Sequence, residues 1–564
     1  MTARRVGWGR VFLGSTVLLL AWSCSSAQHD FGEGSQSESG AAGAGDQHEG
    51  GVDGIGTPGS AGAGAVMSGG AGAGGGAVGS AGSEQGASLS VVSVSPEDGA
   101  TEVERDESIE VTFSEPVDPA SITSDSLSVE GPEGKIDGKL SVAGEIVTFT
   151  PAAQFELLAN YKVSLSTDIT GEQSGALDAP HEFAFQARDG KFRSPERIST
   201  SDAVNLTITG NRAGYVAAFW STNDAKRNAE AAIFDPIKAA WEEAALLEND
   251  DTLSYDVSCL ALNESGQAFA TLMGVAGSAV TAGGWNRRLG TDWGIARLTV
   301  VKESRACALA DDGTAMTAWV AVVGNGADVL AASLSANDQW SESQTLQVND
   351  HVYYPSTARF GAGFMVVYAR DSDHASVSSV WDPKAGWLAP RLVSTDTTFA
   401  GLVSDGAQAM TLWLDKNDHV HASLLADMDW APAKDLGVSD ESGITGGVGN
   451  NGSLVTWSGQ GAMWASHHDS TNGWTDALKL AATPDDLLPP TGVIDDRGNA
   501  LVAWVEGRNI SWRRWSVSAK AWDDPVAFKD QDVTSYGILS SVDAAGNIML
   551  VWQNQLGVWA SRFE

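Results

Sequence analysis

An aromatic residue returns late in an apolar run at a spacing that sets the size of one structural unit. The positions are Trp220, Trp319, Tyr368, Trp413, Trp457, Trp504 and Trp552, with gaps of 44 to 49 residues except the first, which is 99. The long gap divides if "AFATLMG" (268–274) supplies a unit with Leu272 in the aromatic slot, which makes eight units. A unit of this length cannot bury its apolar face alone and must stack against copies of itself.

The order within a unit is constant. A turn such as "DDRGNA" (495–500), "DAAGNI" (543–548), "GNNGS" (449–453) or "DDGTA" (311–315) precedes the slot strand, and "MWASHH", "VHASLL" or "DHASVS" follows it. A second tryptophan then opens another strand 17 to 21 residues past the slot, at Trp241, Trp293, Trp340, Trp387, Trp430, Trp474 and Trp522. The first strand of each unit is rich in small residues ("ITGGVG", "FAGLVS", "ACALAD"), as crowding round an axis requires. The slot strand is apolar on both faces ("ALVAWV"), so it belongs between two neighbouring sheets. This radial pattern predicts a β-propeller over 190–564 with eight blades, or seven if the irregular units around Trp220 and Leu272 merge. The last unit holds three strands. "GKFRSPERIS" (190–199), with Phe192 in place of the tryptophan, is the fourth, and the pairing of the two would leave no free edge. At about 150–250 Å² per ring removed from water, worth roughly 4–6 kcal/mol gross, the slot aromatics read as core.

The first 188 residues are made differently. Arg4, Arg5 and Arg10 precede an apolar run (11–21), and Ala21-Trp22-Ser23 lead into Cys24. The pattern resembles a bacterial lipoprotein signal, although Ala21 stands where that family favours Leu. The resemblance implies a signal over 1–24, acylation of Cys24 and, from Ser25, an outer-membrane location; an ordinary cleaved export signal is the alternative. Residues 25–88 are mainly Gly, Ala and Ser with a few acids and no Lys or Arg. Such a segment buries too little to offset its chain entropy and reads as a disordered tether reaching about 45 Å. Over 89–188, "SIEVTF" and "EIVTFTP" alternate apolar and polar residues and "SPEDGA" is a turn, which predicts a β-sandwich. "VSPEDGATEV", "IEVTFSEPVDPASI", "VTFTPAAQFELLANYKVSL" and "FAFQA" resemble, in that order, the bacterial Ig-like domain of S-layer proteins. That resemblance implies a spacer or adhesive module without catalytic residues. Glu115, Asp118 and Asp125 could hold calcium, but solvated turn acids are the simpler reading.

The chain has 34 basic and 72 acidic residues, a formal charge of −38. That balance argues against nucleic acid as a partner. Cys259 and Cys307 occupy matching places in adjacent units, "VSCLALNESG" and "RACALADDG", and a disulfide between inner strands is expected in an oxidising compartment, with two buried thiols as the alternative. His419 and His421 share one face of a strand, a metal-compatible spacing without an evident third ligand. His467-His468 alternate faces. "DKNDH" (415–419) and "DSDH" (371–374) lack the late glutamate of a calcium loop and read as hairpin turns. No nucleophile elbow, zinc-protease, phosphate-loop or dinucleotide motif occurs. The repeat also resembles sialidase-like propellers, with "SANDQW" (335–340) and "DSTNGW" (469–474) as degenerate echoes of their Asp boxes, but no arginine triad can be assigned. Tyr353 and Tyr354, expected on an inner strand, are the best-placed aromatics for an axial ligand.

These features point to a monomeric, exported lipoprotein at the cell surface, non-catalytic, without a cofactor or metal, binding an extracellular protein or glycan. A secreted glycoside hydrolase or lyase is the alternative, and it requires arginines and carboxylates gathered at one mouth of the axis. A structural envelope component is the third class.

Overall fold

In the computed structural model the described residues are 88–173, 175–199, 202–223, 228–248, 254–276, 279–287, 293–296, 304–323, 326–337, 339–350, 355–439, 443–482, 489–529 and 531–564. Cys24 and the expected tether up to residue 87 lie outside them. The described chain is all-β: a 3-10 turn at Pro119–Ser121 is its one helical element.

The alternating runs near the start pair into two sheets. Val91–Ser95, Ile109–Phe113, Ile146–Pro151 and Gly138–Ala143 form one; Ala100–Val103, His181–Ala187, Asn160–Leu165, Leu127–Gly131 and Gly134–Lys135 form the other. Alternation sends Ile109, Val111 and Phe113 inward to meet Val163, Leu165, Phe183 and Phe185. The acids considered for calcium do local work instead. The Asp118 carboxylate accepts from Ala120 N and caps the 3-10 turn, Glu115 accepts from Gln173 N, and Asp125 is an exposed partner of Lys135.

Beyond this sandwich, eight antiparallel sheets follow among the described residues, each a meander in chain order except the last. Their first strands are Ala203–Gly210, Ser254–Leu262, Ser304–Leu309, Ser356–Phe360, Phe399–Ser404, Ile444–Gly449, Thr491–Ile494 and Val533–Val542. Each touches the first strand of the next sheet, and Val533–Val542 touches Ala203–Gly210, so the contacts run in a cycle. The fold is propeller-like. Side-chain size sets how close these strands come. A Cβ on Gly210 would sit 1.8 Å from Ser541 Oγ, and one on Gly449 2.6 Å from Asp495 O at the end of the next first strand.

The second strands are buried on both faces, as in Val216–Thr222, Gly363–Ala369 and Ala500–Glu506. Their slot aromatics are sealed in: Trp220, Tyr368, Trp457, Trp504 and Trp552 are each at most 1 % exposed. Leu272 fills the slot of the degenerate unit and is fully buried.

The strands opened by the second tryptophan are shorter than the pattern suggests. Only two residues pair, as in Ala240–Trp241, Gly386–Trp387, Asp429–Trp430, Gly473–Trp474 and Ala521–Trp522. The chain then steps away, and a second piece, such as Arg391–Ser394 or Lys434–Val438, returns to the same third strand. In four sheets a proline falls in the step (Pro195, Pro390, Pro432, Pro525), where it can donate no ladder hydrogen bond.

The eighth sheet draws on both ends of this region. Arg197 pairs with Trp559 and Glu196 with Ala560, and Phe192 bridges Phe563. Phe192 thus sits where Trp387 meets Trp381 and Trp522 meets Trp515 in other sheets. Phe192, Trp512 and Phe563 pack with ring centroids 5.1–5.6 Å apart, and a Cβ on Gly190 would lie 2.4 Å from the Phe563 ring.

The sandwich docks onto this closure. Residues Ser88–Glu564 belong to one compact unit. Leu157 is fully buried among Ile548, Leu550 and Trp552. Arg105, 4 % exposed, donates to Phe155 O at 2.6 Å and to Asn547 Oδ1 at 2.7 Å. Glu156 pairs with Arg497, and Arg188 donates to Glu564 O. Sandwich residues therefore complete the packing of the last two sheets.

Trp504 tests the slot. Truncation to alanine should cost about 3–5 kcal/mol. Trp504→Phe should cost under about 1.5 kcal/mol, because it keeps most of the ring and removes an indole N–H with no partner. Thermal denaturation checks both; a loss below about 1 kcal/mol for the alanine variant would remove Trp504 from the core.

Candidate functional site

The first strand of each sheet ends in a turn, and the cycle of strands brings those turns to one mouth. The turn sequences carry Asp or Asn because the side chain must substitute for missing backbone partners. Asp495 Oδ1 accepts from Arg497 N at 3.0 Å and Asn499 N at 2.8 Å, while Oδ2 accepts from Asn499 Nδ2. Asp543 and Asn547 repeat the arrangement, and Asn211 and Asn263 each accept from the amide four residues on. Gly498 and Gly546 turn the corner at φ +92° and +86°, where a β-carbon would be strained.

The mouth is an open depression lined by residues from all eight sheets. Its charged groups come from several sheets. Arg212, from the first sheet's turn, reaches Asp496 of the seventh with both terminal nitrogens, and lies 3.8 Å from Asp405 Oδ2 of the fifth. Arg359 of the fourth sheet donates to Asp311 at 2.6 Å and lies 3.9 Å from Glu264. It lies against Gly406, where a Cβ would meet the guanidinium at 2.7 Å. Links run along the rim: Ala213 N donates to Glu264, Glu264 N to Asp311, and Ser404 Oγ to Arg359 O.

Burial shapes the ionisation here. It raises the Asp496 carboxyl above the usual carboxylate range, against the pull of the Arg212 guanidinium. Asp543 is also raised by burial, with Asn547 and Arg562 opposing the shift. Asp495 and Asp543 are committed to their turns and to Arg497, Arg514 and Arg562. The groups facing the open mouth are Arg212, Arg359, Glu264, Asp405 and Asp496.

Neither tyrosine favoured by sequence can be placed: Tyr353 and Tyr354 lie outside the described residues, and the inner strand of that sheet begins at Ser356. Cys259 and Cys307 sit on the first strands of the second and third sheets with Cα atoms 5.8 Å apart and their sulfurs joined. His419 and His421 do share a face, but each has a carboxylate partner: Asp435 at 3.0 Å and Asp415 at 3.3 Å. Pairing with Asp435 holds His419 above the usual imidazole value. Among the described residues no group of three metal-ligating side chains occurs. His467 is buried against Trp515, with centroids 5.1 Å apart, and burial pushes its pKa down. The Asp-box echoes are turns: Asp469 accepts from Thr471 N and Asn472 N, and Ser335 Oγ from Gln339 N.

Arg212, Asp405 and Asp496 were not evident as a site in the sequence. The signal was present. Aligning units on the Asp or Asn that ends each first strand puts Arg212, Glu264 and Asp496 in one column, directly after Asn211, Asn263 and Asp495.

Residues 86–187 match the model of the bacterial Ig-like domain. No curated protein matches the chain. Among solved structures, the chain is similar to the Dos1 propeller (11 % identity, 66 % of this chain and 95 % of that one, TM-score 0.44). It is also similar to the WD40 domain of SCAP from fission yeast (10 % identity, 66 % and 98 %, TM-score 0.41) and to a polysaccharide lyase of family PL25, an ulvan lyase (8 % identity, 66 % and 95 %, TM-score 0.35). Likenesses this distant transfer no function.

Two outcomes are expected. Alkylation without reductant should leave Cys259 and Cys307 unmodified by mass, and reduction should cost about 4 kcal/mol for a separation of 48 residues; two alkylated thiols would rule the bond out. With burial holding the His467 pKa below the ordinary imidazole value, the unfolded chain takes up this proton first. Stability through His467 is therefore intact above about pH 6.5 and is lost as pH falls below it. His467→Phe should flatten part of the fall in Tm between about pH 7 and 5; an unchanged slope would remove His467 as the buried titrating group.

Proposed function

We propose that this chain is an exported, cell-surface binding protein whose axial mouth takes an extracellular protein or glycan without turning it over. Cys24 carries the lipid, residues 25–88 are the tether, 89–188 the Ig-like module, and 190–564 an eight-bladed propeller that presents the mouth. One observation carries this reading: groups from the first, fifth and seventh sheets converge on a single point at Arg212, so that only the assembled ring makes the constellation. The chemistry fits recognition. Carboxylates and guanidinium groups within one concave mouth offer paired acceptors and donors to a polar ligand. Each is already oriented by turn or rim hydrogen bonds, which lowers the ordering cost of binding.

The hydrolase or lyase reading keeps one specific observation in its favour. Arginines and carboxylates do gather at one mouth, and burial raises Asp496 in the direction a general acid needs. The test is a panel of glycans and surface proteins offered to the full-length protein and to an Asp496→Ala/Arg359→Ala variant with an unchanged circular dichroism spectrum. Binding should weaken about tenfold or more in the variant, with no new reducing ends or unsaturated uronates formed. Turnover by the wild type would establish the enzyme instead, and equal binding by both proteins would remove the mouth as the site.

A further inference from the structure

The mouth already displays the kind of group it holds. Arg212 is not anchored to its own sheet by its side chain. It crosses to Asp496 of the seventh sheet, donating from one terminal nitrogen to Oδ1 and setting the other against Oδ2, which has no hydrogen-bond partner. Two nitrogens facing two carboxylate oxygens is an approach that a planar guanidinium allows and a point-like ammonium reproduces poorly. The Arg212 side chain is 31 % exposed while Asp496 and Asp405 are 15 % and 6 % exposed. The cation is thus the solvent-facing partner and the carboxylates form the floor.

The floor also has acceptor capacity that Arg212 does not fill. Asp405 Oδ1 is used by the amides of Ala407 and Gln408. Its Oδ2, buried and lining the mouth, has no hydrogen-bond partner, and the nearest Arg212 nitrogen is 3.8 Å away. A buried carboxylate oxygen in this state carries a desolvation cost that a better-placed donor would offset. Around it the molecule is strongly acidic, with a formal charge of −38, so its long-range field gathers basic partners and repels acidic ones.

Building on the binding role proposed above, we infer that the mouth receives an arginine side chain of a protein partner, and that Arg212 is an internal stand-in which the incoming guanidinium displaces onto the rim. The exchange forms and breaks only hydrogen bonds and ion pairs. Asp496 exchanges one guanidinium for another, Asp405 Oδ2 gains a donor, and Arg212 turns to water through the side it already exposes. An intramolecular occupant lowers the apparent affinity by the fraction of time it leaves the site open. If Arg212 holds the site about nine-tenths of the time, removing it tightens binding about tenfold.

The experiment is calorimetric titration of the full-length protein with Nα-acetylarginine methylamide. The matching lysine and glutamate amides and glucosamine serve as comparison probes. Arg212→Ala should bind the arginine probe about tenfold more tightly than wild type, and adding Asp405→Asn or Asp496→Asn to it should reverse that gain. Loss of Arg212 leaves buried carboxylates uncompensated, so the variant should melt lower and be raised again by the arginine probe. If Arg212→Ala does not fold, Arg212→Gln, which keeps the length and loses the charge, carries the same expectation. Equal or weaker arginine binding by the Arg212 variants overturns the inference, as does preference for the glutamate probe. Preference for glucosamine overturns the protein partner in favour of an amino sugar. The two readings fail separately. A ligand from the panel that depends on the mouth, yet binds Arg212→Ala no better than wild type, leaves the binding role standing and removes the displacement. A panel in which nothing depends on the mouth removes both.

Discussion

Strands can crowd round one axis only if the side chains they turn towards each other are small, and most of this molecule follows from that constraint. Gly210 has no room for a methyl group beside Ser541, nor Gly449 beside the Asp495 carbonyl. First strands rich in small residues meet the condition, and the larger ones they carry, such as Ile208, Leu402 and Ile494, are aliphatic and buried. The largest side chains lie further out, where sheets diverge and rings fit. Hence the second strands are apolar on both faces, and hence the slot holds tryptophan or tyrosine: it is the place where two sheets have separated by the width of a ring. Leu272 marks the one described slot where an aliphatic side chain suffices.

The same constraint creates the mouth. Strands that converge must end in tight turns close together, and tight turns need side chains that accept backbone N–H groups. Asp495, Asp543, Asn211 and Asn263 are there first for the fold. Their neighbours one residue on, Arg212, Glu264 and Asp496, inherit a position facing the axis and are released from turn duty. The acidity of the mouth is thus partly structural and partly available, and the hydrogen bonds distinguish the two classes. The sandwich belongs to this account as well. Leu157 and Arg105 bury themselves against the turns of the last two sheets, so the first domain is packed beside the mouth instead of swinging from it.

Much of this was legible in one sequence because it is periodic. The aromatic slot, the paired turn and the second tryptophan recur at nearly constant spacing, and burial on both faces leaves an unbroken apolar run that a linear array of sandwiches would not need. Phe192 was recognisable as a displaced partner because one unit lacked its last strand. The splitting of that strand was less visible: Pro195, Pro390, Pro432 and Pro525 signal it, but the strands opened by Trp241 and Trp474 split without a proline. The partner of His419 was missed because Asp435 is brought near by the pairing of Lys434–Val438 with His419–Ala426, a register that spacing along the chain does not reveal.

By itself, the sequence determined the kind of element, the repeat, the position of the core aromatics and the Ig-like character of residues 86–187. All of these depend on local pattern or on side chains meeting their own kind at a fixed period. Only the tertiary structure decided which charges face one another. Arg212 and Asp496 are 284 residues apart, and neither carries any local mark of its partner. A salt bridge between the first and seventh sheets exists only after the cycle has set them on either side of the eighth, because the distance between the two groups is fixed by the cycle and not by the chain joining them.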